Sequence, residues 1–407
     1  MTPQLSSAKI HPYTSPVEFI ATDILNALPK PGLALCLSGG GYRAMLFHLG
    51  ALWRLHEVNY LQKIERISSV SGGSIAAAVL GLKWSNLFLK ETDPQQQFIT
   101  QVVAPIRKLA GQTIDVSSII EGVLEPGSIS DQVIETYRKH LFGTATLQDL
   151  PDKPRFVINA TNVQSGALWR FMKPYMRDYR VGEVKNPTIE LAVAVAASSA
   201  FPPFLSPLIL HLNAADYTPH SGLDLQFEPF TTRVVLTDGA VYDNLGLEAV
   251  WKRYDTILVS DAGGHLKAEA TPKLDWPRHT YRVINIIDNQ VRALRTRIII
   301  DAFEQRRRLL ADGVRPDDET LRLTTRHGAY WGIRSNIADY GLADALPCPL
   351  DKTIELAHIA TRLKGLAPEI QEHLINWGYA ICDAALRKNV DSTLPVPNSF
   401  PYPSGIG

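Results

Sequence analysis

Residues 33–50, LALCLSGGGYRAMLFHLG, place a short apolar run directly before three consecutive glycines and a stretch of helical character. This order is typical of a buried strand that passes through a tight loop into an amphipathic helix. The next segment repeats it, because ERISSV (residues 65–70) leads through the turn SVSGGS into a small-residue helix over Ser74 to Leu82. Strands that alternate with helices in this way predict an α/β fold with a mainly parallel sheet.

Further strand-like runs extend the predicted sheet to about residue 287. These runs are RFVINAT from Arg155, RVVLT from Arg233, DTILVSDA from Asp255 and YRVINII from Tyr281. A small-residue helix over Thr188 to Ala200 lies among them. Because the sites of open α/β sheets lie at the carboxyl ends of the strands, we expect the functional residues in the loops there.

The remaining segments predict additions to this core. Residues 1–30 are expected to form a lead-in with one helix near Val17 to Leu28, and a helix-rich insertion at about 86–150, with the loop EPGSIS, could form a lid or cap. Residues 288–393 predict a mostly helical C-terminal extension packed on the core. Its expected elements are a helix over about Asp288 to Asp312, a turn or hairpin near Gly328 to Arg334, and helices over about 352–363 and 368–387. The Pro-, Gly- and Ser-rich tail, 394–407, is expected to be flexible.

The composition argues against several classes of protein. Lys plus Arg and Asp plus Glu both number 41, so no overall charge favours binding to nucleic acid. Cys36, Cys348 and Cys382 form no CxxC pair, which argues against a disulfide framework and a zinc site and favours a reducing compartment. The amino terminus has no secretory signal, and no apolar run reaches the roughly 18 residues of a membrane span. We therefore expect a soluble, cytoplasmic protein.

The turn SVSGGS presents Ser71 directly after a strand and before a helix, which is the position of a nucleophile in a strand–turn–helix elbow. Such a sharp turn requires small neighbours, which Gly72 and Gly73 provide, whereas Ser69 stands where the GxSxG pattern has glycine. Ser74, in a GxSxA context, is a second candidate, and helix capping by these serines is the ordinary alternative. Ser71 is favoured because Ser74 would already lie in the first turn of the helix.

The glycine run Gly39, Gly40 and Gly41 lies between a strand and a helix, where backbone N–H groups can converge on an anion. In an acyl hydrolase that anion is the tetrahedral oxyanion, which each preorganised donor stabilises by roughly 3 to 4 kcal/mol. Arg43 would add positive charge at the helix start or hold the loop by binding its carbonyl groups. The same glycines, with Ala44, also fit the dinucleotide pattern GxGxxA, but the next strand lacks the acidic end of a Rossmann site.

The segment LTDGAVYDN places Asp238 at the end of a strand-like run, with Gly239 allowing close approach. A carboxylate whose pKa is raised by partial burial can act as a general base on a serine hydroxyl. Asp243 and Asp261 are rivals, which we interpret as a turn former and a strand end. Among the 11 histidines, His265 is the nearest alternative base, and His48 is interpreted as a helix-face residue.

These three segments resemble the motifs of the patatin-like phospholipase family. That family combines a glycine-rich oxyanion loop with Arg, a GxSxG nucleophile, and an Asp in a DGG or DGA motif. The matching residues are Gly39, Gly40, Gly41 and Arg43, then Ser71 with Gly73, then Asp238, Gly239 and Ala240. The block ASSAFPPF from Ala197 also resembles the segment before the family's DGA motif, so the resemblance covers about residues 33–265. It implies a three-layer α/β/α fold with residues 31–287 as the catalytic domain.

The resemblance implies a Ser-Asp dyad that hydrolyses fatty-acyl esters of phospholipids or lysophospholipids without a metal or other cofactor. A triacylglycerol lipase, thioesterase or acyltransferase with the same dyad, and a catalytically silent lipid-binding protein, are the alternatives; a nucleotide-binding enzyme is the least favoured. Transient membrane contact is expected through local surfaces. The candidates are the segment Trp169 to Arg180 and the helix that carries Arg292, Arg295, Arg297, Arg306, Arg307 and Arg308.

Overall fold

The computed structural model of the chain describes residues 28–89, 93–114, 128–264 and 266–407. Residues 17–27 of the expected N-terminal helix, residues 125–127 of the EPGSIS loop and the alternative base His265 lie outside the described residues. The described residues form one ten-stranded sheet with helices on both faces.

The sheet has five parallel strands at one side and antiparallel strands at the other. The strands are β1 Lys30–Leu37, β2 Ile64–Val70, β3 Arg155–Asn162, β4 Ala167–Phe171, β5 Tyr175–Asp178, β6 Gly182–Lys185, β7 Leu208–His211, β8 Arg233–Asp238, β9 Tyr254–Asp261 and β10 His327–Gly332. Their order is β10-β9-β1-β2-β3-β4-β5-β6, with β8 paired to β3 and β7 paired to β8. The pairs from β10 to β3 are parallel, which confirms the predicted α/β class.

The helices flank this sheet. They are α1 Gly41–Glu57, α2 Gly72–Lys83, α3 Pro94–Phe98, α4 Ala104–Ala110, α5 Ser128–Tyr137, α6 Leu191–Ser198, α7 Ala240–Asp243, α8 Trp276–Ala311, α9 Glu319–Thr324, α10 Leu350–Ala357 and α11 Pro368–Asn389. A π-helical segment, Ile99–Val103, joins α3 to α4. Within the described ranges, no helix has both the length and the apolar character needed to cross a bilayer.

The side chains of β1 show how the three layers form. Leu33, Leu35 and Leu37 belong to the larger apolar cluster, together with residues of α1 and α11. Ala34 and Cys36 point to the other face, where their cluster includes Ile299 and Phe303 of α8. Because side chains alternate between the faces of a strand, this division covers both faces of the sheet with helices.

Two helices pack closely in the larger layer. A Cβ added at Gly50 of α1 would lie 1.9 Å from the Ile375 carbonyl oxygen, and one at Gly378 of α11 would lie 1.8 Å from the Phe47 carbonyl oxygen. The absence of side chains at these two positions lets the backbones approach. Arg54 of α1 also forms an ion pair of 2.7 Å with Asp383 of α11, with both side chains buried. The C-terminal helix is therefore part of the packed core.

Two sequence predictions beyond residue 280 differ from the structure. YRVINII is not a strand, since residues 281–287 lie in α8, which begins twelve residues before the expected Asp288. Asp275 caps this helix by accepting a hydrogen bond from the Arg278 N–H (3.2 Å), and Pro277 occupies its first turn; these start signals outweigh β-branched propensity. In the segment Gly328 to Arg334, expected as a turn or hairpin, residues 327–332 belong to the strand β10, which pairs in parallel with β9, and a turn follows at residues 333–334.

Three other segments differ from what their composition indicated. Trp169, Phe171 and Met172 are fully buried in and after β4, so Trp169 to Arg180 does not present an aromatic lipid-binding surface. The tail is attached to α11, because the Asn376 amide donates to the carbonyl oxygens of Tyr402 (2.9 Å) and Gly405 (2.7 Å). The described part of the 86–150 insertion packs in the apolar core.

Candidate active site

Ser71 and Asp238 line a common cavity of about 160 Å³. Gly39, Gly40 and Arg43 contribute one wall, and Gly263, Gly264 and Leu266 another. The lining is completed by the first half of α8, by residues 357–361, and by Phe201, Ala240 and Asn244. None of the described residues between 86 and 150 lines this cavity, so the expected lid or cap is not formed by them.

The strand arrangement brings the serine and the aspartate together. β2 is parallel to β3 and ends where Val70 pairs with Asn159, whereas β8 is antiparallel to β3 and ends where Asp238 pairs with Ala160. Because β4 occupies the other edge of β3 at this level, β2 and β8 share one edge and meet end to end. The sequence predicted Asp238 at a strand end, but not that its strand runs towards the end of the strand that precedes Ser71.

Ser71 has the backbone of a nucleophile elbow. Its φ is 50° and its ψ is −122°, a conformation that is costly for a residue with a side chain. The Ser71 N–H donates to Ser198 Oγ (2.9 Å), which helps to hold the turn. A Cβ added at Gly72 would lie 2.1 Å from the Gly41 carbonyl oxygen, and one at Gly73 would lie 2.5 Å from the Leu37 carbonyl oxygen. Both positions therefore require glycine.

A network of serines lies behind the elbow. It explains why position 69 holds serine where the GxSxG pattern has glycine. The Ser69 hydroxyl donates to the Val157 carbonyl oxygen (3.2 Å) and lies 3.0 Å from Ser74 Oγ. Ser74 Oγ is also 2.9 Å from Ser198 Oγ, which donates to the Asn159 carbonyl oxygen (2.6 Å). Ser74 is fully buried in this network and does not line the cavity, so its environment is that of a structural residue.

Asp238 is buried, and burial raises its pKa to about 7. Hydrogen bonds from the Ala240 N–H (2.8 Å) and from the Ser71 side chain oppose this rise by stabilising the carboxylate. The negative charge of Asp288 raises the pKa further. A carboxylate with a pKa near neutrality can exchange a proton with a hydroxyl that it contacts.

The rival aspartates have other partners. Asp243 accepts hydrogen bonds from the N–H groups of Leu245 (3.2 Å) and Glu248 (2.7 Å), as expected for a turn former. Asp261 ends β9 and accepts from the Tyr330 hydroxyl (2.7 Å) and the Gly263 N–H (2.8 Å). Both residues are occupied away from Ser71.

His48 contacts Ser38, the residue before the glycine loop, and does not line the cavity. Its Nε2 lies 2.9 Å from the Ser38 carbonyl oxygen and its Nδ1 lies 2.8 Å from Ser260 Oγ. The acceptor at Ser38 requires the proton on Nε2, so Nδ1 accepts from the Ser260 hydroxyl. Burial lowers the pKa of His48 to about 4, which keeps the ring neutral. It is therefore a structural histidine on a buried face of α1, in line with its interpretation from sequence as a helix-face residue.

The three glycines of the loop differ in whether their backbone N–H groups are free to bind an anion. The Gly39 N–H is bound by Asn244, through the carbonyl oxygen (3.1 Å) and Oδ1 (2.9 Å). Arg43 donates to the Ala262 and Ile359 carbonyl oxygens and to Thr361 Oγ1. It therefore binds neighbouring segments, whereas one of the two sequence expectations had it bind the carbonyls of the glycine loop. Within the described part of the chain, the N–H groups of Gly40 and Gly41 have no hydrogen-bond acceptor. These two amides, at the start of α1, are the donors that remain for an anion.

Several residues at the cavity escaped the sequence analysis. Asn244 is the last residue of LTDGAVYDN, but nothing in the motif indicated that it binds the glycine loop. Asp288, Asn289 and Arg292 come from α8, forty or more residues beyond the motif. The sequence did contain a signal for this polar face. The cap at Asp275 indicates that the helix begins there, and the polar residues that follow recur at spacings of three and four, which places them on one face of that helix.

The family model of patatin-like phospholipases matches residues 35–251. Human GIVD cytosolic phospholipase A2 is 12% identical with a TM-score of 0.47, over 89% of this chain and 61% of that chain. VipD from Legionella pneumophila is 14% identical with a TM-score of 0.35, over 89% of this chain and 68% of that chain. A search of curated proteins finds no match. The chain spans about three fifths of the length of the human phospholipase.

Proposed function

The chain belongs to the patatin-like phospholipase family, and we propose that it hydrolyses fatty-acyl esters of phospholipids or lysophospholipids. Ser71 is the nucleophile, Asp238 is the general base, and the N–H groups of Gly40 and Gly41 form the oxyanion hole. Gly39 and Arg43 hold the surrounding loops. The observation that carries the proposal is the end-to-end meeting of β2 and β8, which supports direct proton transfer between Ser71 and a carboxylate of pKa about 7.

The proposed reaction has two steps. In the first, Asp238 takes the proton of the Ser71 hydroxyl as its oxygen attacks the acyl carbonyl carbon, and the oxyanion binds to the two amides. The proton then passes to the leaving alcohol oxygen, which departs and leaves an acyl ester on Ser71. In the second step, Asp238 takes a proton from water, the hydroxide attacks the ester, and the proton returns to Ser71 as the fatty acid leaves.

The first experiment tests the dyad. The protein is incubated with a fluorophosphonate probe and, separately, with mixed phospholipids and lysophospholipids. Ser71→Ala should abolish labelling and fatty-acid release, Asp238→Asn should lower both by roughly 10² or more, and Ser74→Ala is the matched control that should retain both. His358→Gln, at the cavity wall, and His265→Gln should also retain activity. Loss of activity in a histidine variant would replace the dyad with a triad, and no release from any lipid would refute the hydrolase assignment.

We propose that the substrate is reached at a lipid surface through the outer face of α8. This face carries the exposed apolar side chains of Trp276, Val283, Ile286, Ile287, Leu294 and Ile298. At ~100° per residue they lie opposite Asp288, Asn289 and Arg292, which line the cavity. Between residues 264 and 300 the sequence has seven Lys or Arg against three Asp or Glu, and this local excess favours an anionic bilayer.

A further inference from the structure

A polar link connects α8 to the glycine loop. The Asn244 Nδ2 donates to both carboxylate oxygens of Asp288, at 3.0 Å and 3.2 Å. The Asn244 Oδ1 accepts from the Gly39 N–H at 2.9 Å. Asp288 and Asn244 both line the cavity beside Ser71. The Ser-Asp dyad proposed above does not use either side chain.

We infer that Asp288 and Asn244 are positioning residues that fix the oxyanion loop in its active geometry. The inference rests on the proposed function, because it assigns the oxyanion to the amides that follow Gly39. It also gives a role to a helix that lies outside the 35–251 segment matched by the family model.

Asp288 determines which way the Asn244 amide points. A carboxylate accepts hydrogen bonds and cannot donate them, so only the amide NH2 group can face it. The carbonyl end of the amide must then face Gly39, where it meets an N–H donor. A charged acceptor makes this hydrogen bond stronger than a neutral one, so the orientation of Asn244 depends on the charge of Asp288.

The contact at Gly39 fixes the two amides that follow. A Cβ added at Gly39 would lie only 2.7 Å from Asn244 Oδ1, so the amide and the loop are in close contact. The next two residues have φ values of 143° and 61°, backbone conformations that glycine adopts with little strain. A rotation about Gly39 would therefore turn the N–H groups of Gly40 and Gly41 away from the carbonyl of a substrate. Oxyanion stabilisation is sensitive to such misplacement, because a shift of about 1 Å can cost roughly 10²-fold in rate.

Asp288 also influences the base through its charge. Its carboxylate raises the pKa of Asp238, while the Ala240 N–H and the Ser71 side chain act in the opposite direction. The other titratable groups near Asp238 are Tyr137 of α5 and, around the cavity, Arg43, Tyr281, Arg292 and His358. Asp288 itself faces Asn244, Arg292 and Asp261. Removal of the Asp288 charge should thus lower the pKa of Asp238.

The test compares Asp288→Asn with Asp301→Asn, an exposed aspartate on the same helix, using a short-chain water-soluble ester. We expect Asp288→Asn to lower kcat roughly 10- to 100-fold with little change in KM, because the oxyanion forms only after binding. The acidic limb of kcat/KM should move to lower pH. Hydrogen exchange at the Gly39 amide should become faster. The control should change none of these.

A charge exchange makes the test specific. Asn244→Asp alone should cost more than Asp288→Asn, because two carboxylates would then face each other. The double variant Asn244→Asp with Asp288→Asn restores one amide and one carboxylate in the reverse order, and the carboxylate at 244 can still accept from Gly39. It should regain most of the kcat lost in Asn244→Asp.

Three results would overturn the link: wild-type kcat in Asp288→Asn, a higher KM with unchanged kcat, or no recovery in the double variant. If the wild-type protein hydrolyses no ester, the proposed function fails. The hydrogen-exchange comparison still tests the Asp288–Asn244–Gly39 contact in that case. The two failures are therefore distinguishable.

Discussion

Asp238 is 1% exposed, and this burial carries its pKa from the ordinary range of an aspartate to about 7. A carboxylate of normal pKa would be a weak base for a serine hydroxyl, since its conjugate acid would be too strong. In the proposed dyad, burial of Asp238 takes the place of the imidazole in a Ser-His-Asp triad. The cost is that a fraction of Asp238 is protonated, and inactive as a base, at neutral pH.

A pH dependence follows from the raised pKa of Asp238. The base acts in its deprotonated form, so kcat/KM should rise with pH, roughly tenfold per unit well below the pKa, and level off above about pH 7. The measurement is the pH–rate profile on a short-chain ester between pH 5 and 9. The residual activity of Asp238→Asn should lack this limb. A wild-type limb near pH 4 would exclude Asp238 as the titrating group.

At the scale of single elements, α8 has two different faces. One face supplies Asp288 and Arg292 to the cavity, and Arg292 is buried beside Asp261 at 3.7 Å. The other presents the outer apolar face, about 33 Å long from Trp276 to Ile298 at ~1.5 Å per residue. A helix with these two faces can contact a lipid layer while it forms part of the site beneath it.

Charge on the outer face of α8 should weaken lipid binding. Ile287→Glu, at a side chain that is 57% exposed, is expected to lower partition onto anionic vesicles about tenfold or more, because it places a carboxylate against the bilayer. The assay is vesicle sedimentation, and hydrolysis of a short-chain soluble ester should be unchanged. Leu223→Glu is the control, since Leu223 is equally exposed on another surface (62%). Unchanged partition, or conversion of a wild-type dimer to a monomer, would reject the lipid assignment.

The contact between α1 and α11 should contribute strongly to stability. Asp383 accepts from Arg54 (2.9 Å) and from Arg387 (2.9 Å), and all three side chains are at most 5% exposed. Asp383→Ala would leave buried guanidinium groups without this partner, which costs about 3 to 5 kcal/mol of unfolding free energy. Urea unfolding measures the loss.

Asp344→Ala provides the matched control for this ion-pair network. Asp344 also pairs with Arg387 (2.7 Å) but is 52% exposed, so we expect a loss below about 1 kcal/mol. Equal losses in the two variants would show that burial does not determine the contribution of these pairs.

At the scale of the whole molecule, the family match covers only part of the folded unit. It ends at residue 251, before β9, β10, α8 and α11. β10 pairs with β9 over six residues from His327 to Gly332, and α11 covers α1. The C-terminal region therefore completes the sheet and both helix layers.

Removal of residues 312–407 should prevent stable folding. The truncated chain would lack β10 and α11, which exposes the edge of β9 and the apolar side of α1, and we expect it to aggregate. Size-exclusion chromatography and thermal unfolding test this. A chain that ends at residue 393 is the control and should still fold, since it loses only tail contacts such as those of Tyr402 and Ile406. A monomeric, cooperatively unfolding 1–311 chain would contradict the prediction.

The sequence was sufficient for features that depend on local order. Gly72 and Gly73 indicated the elbow, and the runs before Gly39 and Ser71 correctly indicated β1 and β2 with the helices that follow. It failed at Tyr281 to Ile287, where β-branched residues resembled a strand but the cap at Asp275 determined a helix. It also failed for the tail, whose composition suggested flexibility while its backbone carbonyls bind Asn376.

By itself the sequence determined the residue types, the tight glycine turns and their places at strand ends, because these follow from sterics within a few residues. Only the tertiary structure decided that β8 runs antiparallel to β3 and so meets β2 end to end, since pairing direction depends on contacts between distant segments. The pKa of Asp238 and the hydrogen bonds that join Asp288, Asn244 and Gly39 also depend on the tertiary structure. Burial and hydrogen-bond partners are set by the assembled fold, which no local spacing in the sequence encodes.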